Sequence, residues 1–200
     1  MKAVVELANH QGKRVAVHSL GPEAVPDAIR AGVHSIEHAV GMSDELLSTW
    51  AASSTFYVPT IDHNRYYAEH RSEFGYGDEV VQGFGDFIVR NVDSLRRAHK
   101  AGVRIAMGSD AVLTGFGENS HELLWFVKAG MSNAETLNAA ISNGAELLGM
   151  EKKLGRLAPG FYADIIAVEA NPLEDIRAVI DGVVWVMKDG RVVAGSYERD

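Results

Sequence analysis

Three residues in this 200-residue chain have the types and positions to hold a metal ion: His18, His38 and Asp110. Each lies at or just after a short apolar run. His18 follows Val15-Ala16-Val17, His38 follows Ile36-Glu37, and Asp110 follows Gly108-Ser109. In a parallel α/β sheet or barrel, reactive groups gather at the C-terminal strand ends and in the loops behind them. Two neutral imidazoles and a carboxylate suit Zn²⁺ or another borderline divalent ion. Taken singly, each is more simply a partly buried polar residue with a hydrogen-bond partner. Recurrence at three strand ends is what points to a shared site. The chain has no cysteine, which excludes disulfides and thiolate metal sites.

A second motif competes for the same residues. His34-Ser35-Ile36-Glu37-His38 matches the H-x-x-E-H pattern of inverted zincins. That pattern works on a helix, where positions i and i+4 share a face. Here the segment is fenced by Gly32 and Gly41 and follows a complete helical stretch, which favours a strand. On a strand, i and i+4 are roughly 13 Å apart and cannot share a metal. His34 is therefore expected to be structural. Other polar residues have claims as substrate contacts. His121 opens a helix in Glu118-Asn119-Ser120-His121-Glu122, where substrate contact and capping by Asn119 or Ser120 are equally open. His63, Arg65 and Tyr66 lie in the polar, aromatic stretch from Thr60 to Asp78, which reads as a long loop. Arg65 has the fork geometry to bind a substrate carboxylate, and Tyr66 can flank a side chain.

The elements that must position these groups alternate between β-type runs and helical stretches. Helices are predicted over Ala3–Gln11, Glu23–Ala31 (opened by Gly21-Pro22), Ser43–Ala52, Gly83–Lys100, Ser120–Ala129 and Asn133–Leu148. Strands are predicted over Arg14–His18, Val33–Glu37, Phe56–Pro59 and Val103–Met107. Four strands each followed by a helix imply right-handed βαβ units and a parallel sheet. After Gly155 the pattern changes to strands without helices: Ala163–Val168, Val183–Met187 and Arg191–Val193, with Asp189-Gly190 as a hairpin signal. The division is thus residues 1–155, α/β, and 156–200, a small β unit.

Composition narrows the partners. Apolar residues make up 46% and charged residues 23%, with net charge −8, so no basic stripe exists to attract nucleic acid. No apolar run approaches a membrane span, and the first residues lack a signal-peptide pattern, so a cytoplasmic location is expected.

The strand-end segments, together with others, resemble the amidohydrolase superfamily. The matching stretches are Val15–His18, Ala28–His38, and Gly108-Ser109-Asp110 followed by Glu122-Leu123 and Lys128–Met131. In the tail they are Leu154–Gly160, Ala163-Asp164 and Asn171–Ile176. Within that superfamily the chain is most similar to the imidazolonepropionase-like and Xaa-Pro dipeptidase-like (prolidase-type) members. The resemblance implies a (β/α)8 metal-dependent hydrolase barrel, of which this chain would hold strands five to eight, plus the C-terminal strands of a small β-sandwich. His18 and His38 would be metal ligands, and Asp110 both ligand and general base. A zinc or other divalent ion, one or two in the whole family, would activate water to cleave a C–N bond. Substrates would be small molecules: a dipeptide, an N-acyl amino acid or a cyclic amide. The family's His-x-His pair is absent, as is its bridging carboxylated lysine, so this chain would hold half a site. The expectation is a fragment that needs a complementary N-terminal half or self-association, in a homo-oligomer, and is otherwise an inert half-barrel.

Overall fold

The computed structural model describes residues 1–111 and 115–195; residues 196–200 of the predicted second unit lie outside it. Three parallel strands, β1 (Ala16–Ser19), β2 (Ser35–His38) and β3 (Phe56–Val58), pair in that order. Helix α1 (Lys2–His10) precedes them, and α2 (Val25–Ala31) and α3 (Asp44–Ala51) lie between them. Helix α2 starts later than predicted, with Pro26 rather than Pro22 in its first turn. The Ser43 side chain caps α3 by accepting from Leu46 N at 3.2 Å.

The fourth predicted strand is reduced to a bridge. Tyr57 N donates to Arg104 O at 2.8 Å, and Ala106 N donates to Tyr57 O at 3.0 Å, which places Ile105 beside Tyr57. Pairing goes no further because neighbouring groups take the next backbone positions. Met107 N donates to Ala139 O, and Ile105 O accepts from Asn143 Nδ2 at 2.8 Å. Gly108 follows because a Cβ there would sit 2.6 Å from Val58 Cγ1.

The stretch predicted as a long loop is helical. It contains α4 (Asp62–Glu69) and α5 (Arg71–Phe74), and α6 (Asp78–Ala101) begins five residues before the predicted Gly83. Two sets of side-chain contacts stabilise it. Arg65 pairs with Asp62 and Glu69 along one helix face, and Tyr67 gathers Phe74, Tyr76 and Phe84 around it. After the bridge come α7 (Glu122–Lys128), α8 (Asn133–Ala140) and α9 (Ser142–Leu147). The single helix predicted over Asn133–Leu148 is broken at Ile141, where φ is −103° and ψ −75°.

Strand parity sorts the residues onto two faces. Val17, Ile36, Tyr57 and Ile105 face the helices and share a core with Trp50, Leu95 and Phe126. The register places Ala16, Ser35 and Phe56, and His18, Glu37 and Val58, on the opposite face. That face is covered at Phe56, Val58 and Ala106 but open at Ala16 and His18. The tail forms an antiparallel sheet of β4 (Ile165–Val168), β5 (Val183–Lys188) and β6 (Arg191–Ala194). Its hairpin has positive φ at Asp189 and Gly190, and Asp164 pins it by accepting from Asp189 N at 2.8 Å and pairing with Lys188.

One capping device gives an early test. Ser132 and Glu135 form a reciprocal capping box at the start of α8. The Ser132 hydroxyl and backbone N–H, with His99 beside them, hold the Glu135 pKa down to about 2. A depressed carboxyl contributes stability above its unfolded pKa near 4.5 and loses it as pH falls toward about 2. Ser132→Ala is expected to cost about 1 kcal/mol in urea unfolding at pH 7. The cost is expected to shrink below pH 3; an equal cost at both pH values would refute the cap.

Candidate functional site

The C-terminal ends of β1, β2 and β3 and the turn after the Ile105 bridge meet at one rim. The His18 and His38 rings lie edge to face with centroids 4.6 Å apart. His63, on α4, stands 5.9 Å from His38, and its Nε2 is 4.0 Å from Asp110 Oδ2. Glu37 joins them from the face of β2 that it shares with His18, and its carboxyl bonds the Ser35 hydroxyl. Burial, then the neighbouring His18, brings the His38 pKa down to about 4, so its ring is neutral near pH 7. Burial also lowers His63 and raises Glu37, the latter with Asp110 acting in the same direction. His34 is elsewhere in function: its Nδ1 accepts from Val15 N at 3.0 Å, a structural bond as expected.

Backbone strain marks the same rim. Among described residues the non-glycine positive φ values are His38 at 72°, Thr60 at 48°, Asp110 at 47° and the hairpin's Asp189 at 48°. All but the last belong to this rim. Such conformations cost on the order of 1–3 kcal/mol and persist where the surroundings over-determine them. The surroundings here are buried and polar. Glu122 is fully buried, and its carboxyl accepts from Ile61 N (2.9 Å to each oxygen) and Asp62 N (2.7 Å). That side chain caps α4 from sixty residues away in sequence. Burial pushes its pKa well up, against the pull of the backbone donors. Asn91 Nδ2 donates to Pro59 O at 2.9 Å, and the Tyr57 hydroxyl lies 2.9 Å from Ala39 O and 3.0 Å from Asn91 Oδ1.

The remaining candidates form a network beside the rim. Arg65 holds Asp62 through Nε (2.8 Å) and Nη2 (2.9 Å), and also pairs with Glu69 and Glu118. Burial alone would raise Asp62, but the Arg65 and Trp125 hydrogen bonds leave it below its usual range. A substrate carboxylate would therefore compete with these internal acids for Arg65. His121 Nδ1 lies 3.4 Å from Glu118 Oε2 and 3.3 Å from Arg65 Nη2. Neither Asn119 nor Ser120 caps α7; Asn119 instead donates to Ser109 Oγ at 2.8 Å, tying down the turn before Asp110. The Tyr66 ring is buried and stacks on His70 with centroids 4.0 Å apart. A cleft of about 510 Å³ lined by Asn143, Glu146, Arg156 and Phe161 includes none of these groups.

The donor set fits a divalent ion in part. His18 and His38 are adjacent imidazoles, yet among the described residues no three His, Asp or Glu side chains converge as a metal cage. The sequence profile described as the Amidohydrolase family matches residues 1–193. The chain belongs to the amidohydrolase family. It is 31% identical to the ochratoxinase of Aspergillus niger over 199 residues, 98% of this chain and 41% of that protein. The solved structure of a Xaa-Pro dipeptidase, with methionine bound in its active site, superposes with TM-score 0.86 at 38% identity. That match covers 97% of this chain and 48% of the dipeptidase. A prolidase solved with N-methylphosphonate-L-proline superposes at TM-score 0.88 and 30% identity, covering 98% of this chain and 48% of the prolidase. This amidohydrolase-family chain thus spans less than half the length of these relatives, with their α/β fold over that portion. Among the described residues no helix is long and apolar enough to cross a membrane.

Several residues of the site were not legible as such. Glu37 was read only as part of a zincin-like pattern, and Glu122 only as part of the resemblance. Thr60 and Asn91 gave no motif at all. A Thr beside a proline at a strand end, Pro59-Thr60, was the one available hint.

Proposed function

We propose that this chain carries the C-terminal half of a metal-dependent amidohydrolase site that cleaves a C–N bond in a small amide. Residues 1–155 correspond in this reading to strands five to eight of a (β/α)8 barrel, and 156–200 to the C-terminal strands of a small β-sandwich. His18 and His38 are the metal-holding imidazoles, and Asp110 is the general base. The observation that carries the reading is the edge-to-face pairing of His18 and His38 at one rim, with Asp110 near enough to act on the charge of His38 and with both His38 and Asp110 on strained backbone. A bound zinc or similar ion would supply Lewis acidity and a water of lowered pKa. Asp110 Oδ2 takes the proton from the attacking water and, once protonated, gives it to the leaving nitrogen. His63, 4.0 Å from that oxygen, orients the Asp110 carboxyl. Tyr66 lines a small pocket with His63 and Ser109, while Arg65 and His121 line a separate surface cleft with Trp125 and Lys128; these are the candidate substrate contacts on the side of α4. A dipeptide, an N-acyl amino acid or a cyclic amide fits this chemistry, and the named dipeptidase and prolidase relatives support the first.

A second reading follows from the absence of a third converging donor among the described residues and from the open inner face at Ala16 and His18. In it, the chain alone is inert and acts only with a complementary half or a second copy. Calorimetric zinc titration of the purified chain tests the first reading. The expected result is one ion per chain, with His18→Ala and His38→Ala each weakening binding by about 10-fold or more. Less than about 0.1 ion per chain, or affinity unchanged by both substitutions, would leave the second reading standing.

A further inference from the structure

His38 has two ring nitrogens, and a metal-holding histidine must present a bare lone pair on one of them. Thr60 is placed to select between them. The Thr60 hydroxyl has a single proton and lies 2.8 Å from Pro59 O, its acceptor. Toward His38 Nδ1, its other partner, the hydroxyl is then the acceptor. Nδ1 therefore carries the proton, and Nε2 is left bare.

That arrangement depends on Thr60 keeping φ at 48°, a conformation β-branched residues avoid. Nothing on β3 itself enforces it. On the far side of the turn, Glu122 receives the N–H groups of Ile61 and Asp62, the two residues after Thr60. On the near side, Asn91 holds Pro59 O. Both clamping side chains are fully buried and come from helices distant in sequence. We propose that Glu122, acting through the 59–62 turn and the Thr60 hydroxyl, is a positioning residue that fixes His38 as the Nδ1–H tautomer and presents Nε2 to the rim. The carboxyl suits this task because its oxygens accept from both N–H groups, whereas glutamine puts an N–H₂ in place of one of the two oxygens that face Ile61 N. This inference rests on the reading of His38 as a ligand only for its consequence in metal binding; the tautomer itself is independent of it.

The experiment uses the full chain labelled with ¹⁵N. Long-range ¹H–¹⁵N spectra report the tautomer of each histidine, with His38→Ala assigning the signal. Zinc titration of the same samples follows affinity. The parent is expected to show His38 as a single Nδ1–H tautomer. Thr60→Val and Glu122→Gln are expected to give a mixture of tautomers and about 10-fold weaker zinc binding, and Thr60→Ser to restore both. Thr60→Val keeps the side-chain shape, so it serves even where Glu122→Gln fails to fold. A parent in the Nε2–H form, or a pure Nδ1–H form in a folded Glu122→Gln or in Thr60→Val, overturns the proposal. Zinc binding unchanged by His38→Ala overturns the ligand reading instead, and the tautomer result still decides the positioning role.

Discussion

Replacing Glu122 by alanine is expected to destabilise the chain by about 3 kcal/mol, a large fraction of a typical domain's stability. The carboxyl is fully buried and satisfies the Ile61 and Asp62 N–H groups at 2.7–2.9 Å. Removing it leaves two backbone donors at the N-terminus of α4 without a partner, in a site built for a larger side chain. Helix α4 has no side-chain cap of its own, so nothing local replaces the loss. Glutamine retains one acceptor oxygen and is expected to cost about half as much. Urea unfolding followed by far-UV circular dichroism measures both. An alanine penalty below about 1 kcal/mol would mean that water or a repacked turn satisfies those donors, and the clamp would not have the importance given to it here.

Trp50→Ala is expected to have the largest effect on folding, about 4 kcal/mol. Its ring is fully buried in the core between the sheet and α6, tilted against Tyr57 with centroids 5.2 Å apart. Its Nε1 donates to Thr55 O at 2.9 Å, at the start of β3. Alanine removes the ring volume and leaves that buried carbonyl unpaired. Phenylalanine fills much of the space and loses only the hydrogen bond, so its expected cost is about 1–2 kcal/mol. The effect reaches the rim, because Tyr57 is the residue whose hydroxyl braces the backbone after His38. A Trp50→Ala loss no greater than that of Trp50→Phe would show that the core collapses around the gap.

Much of the architecture was readable from local pattern. The β1, β2 and β3 strands are short β-type segments followed within a few residues by glycine or proline, as predicted. The Asp189-Gly190 hairpin formed as its turn chemistry requires. Where the reading departed from the structure, side-chain partners were responsible, several of them distant in sequence. The Thr60–Asp78 stretch is polar and glycine-bearing, yet α4 forms because Glu122 caps it and Arg65 bridges its acids. The fourth strand shortened because Asn143 and Ala139 took its backbone groups.

The amino-acid sequence by itself supplied the candidate donors, His18, His38 and Asp110, and their places at the ends of β-type runs, because residue type and apolar periodicity are local properties. It also determined the family, through motifs spread along the chain. Only the tertiary structure decided that His63 and Glu37 join the same rim and that Arg65 also reaches Glu118. These depend on hydrogen bonds between residues as far apart as Ile61 and Glu122. A hydrogen-bond partner is chosen by proximity after folding, and no spacing along the chain encodes it.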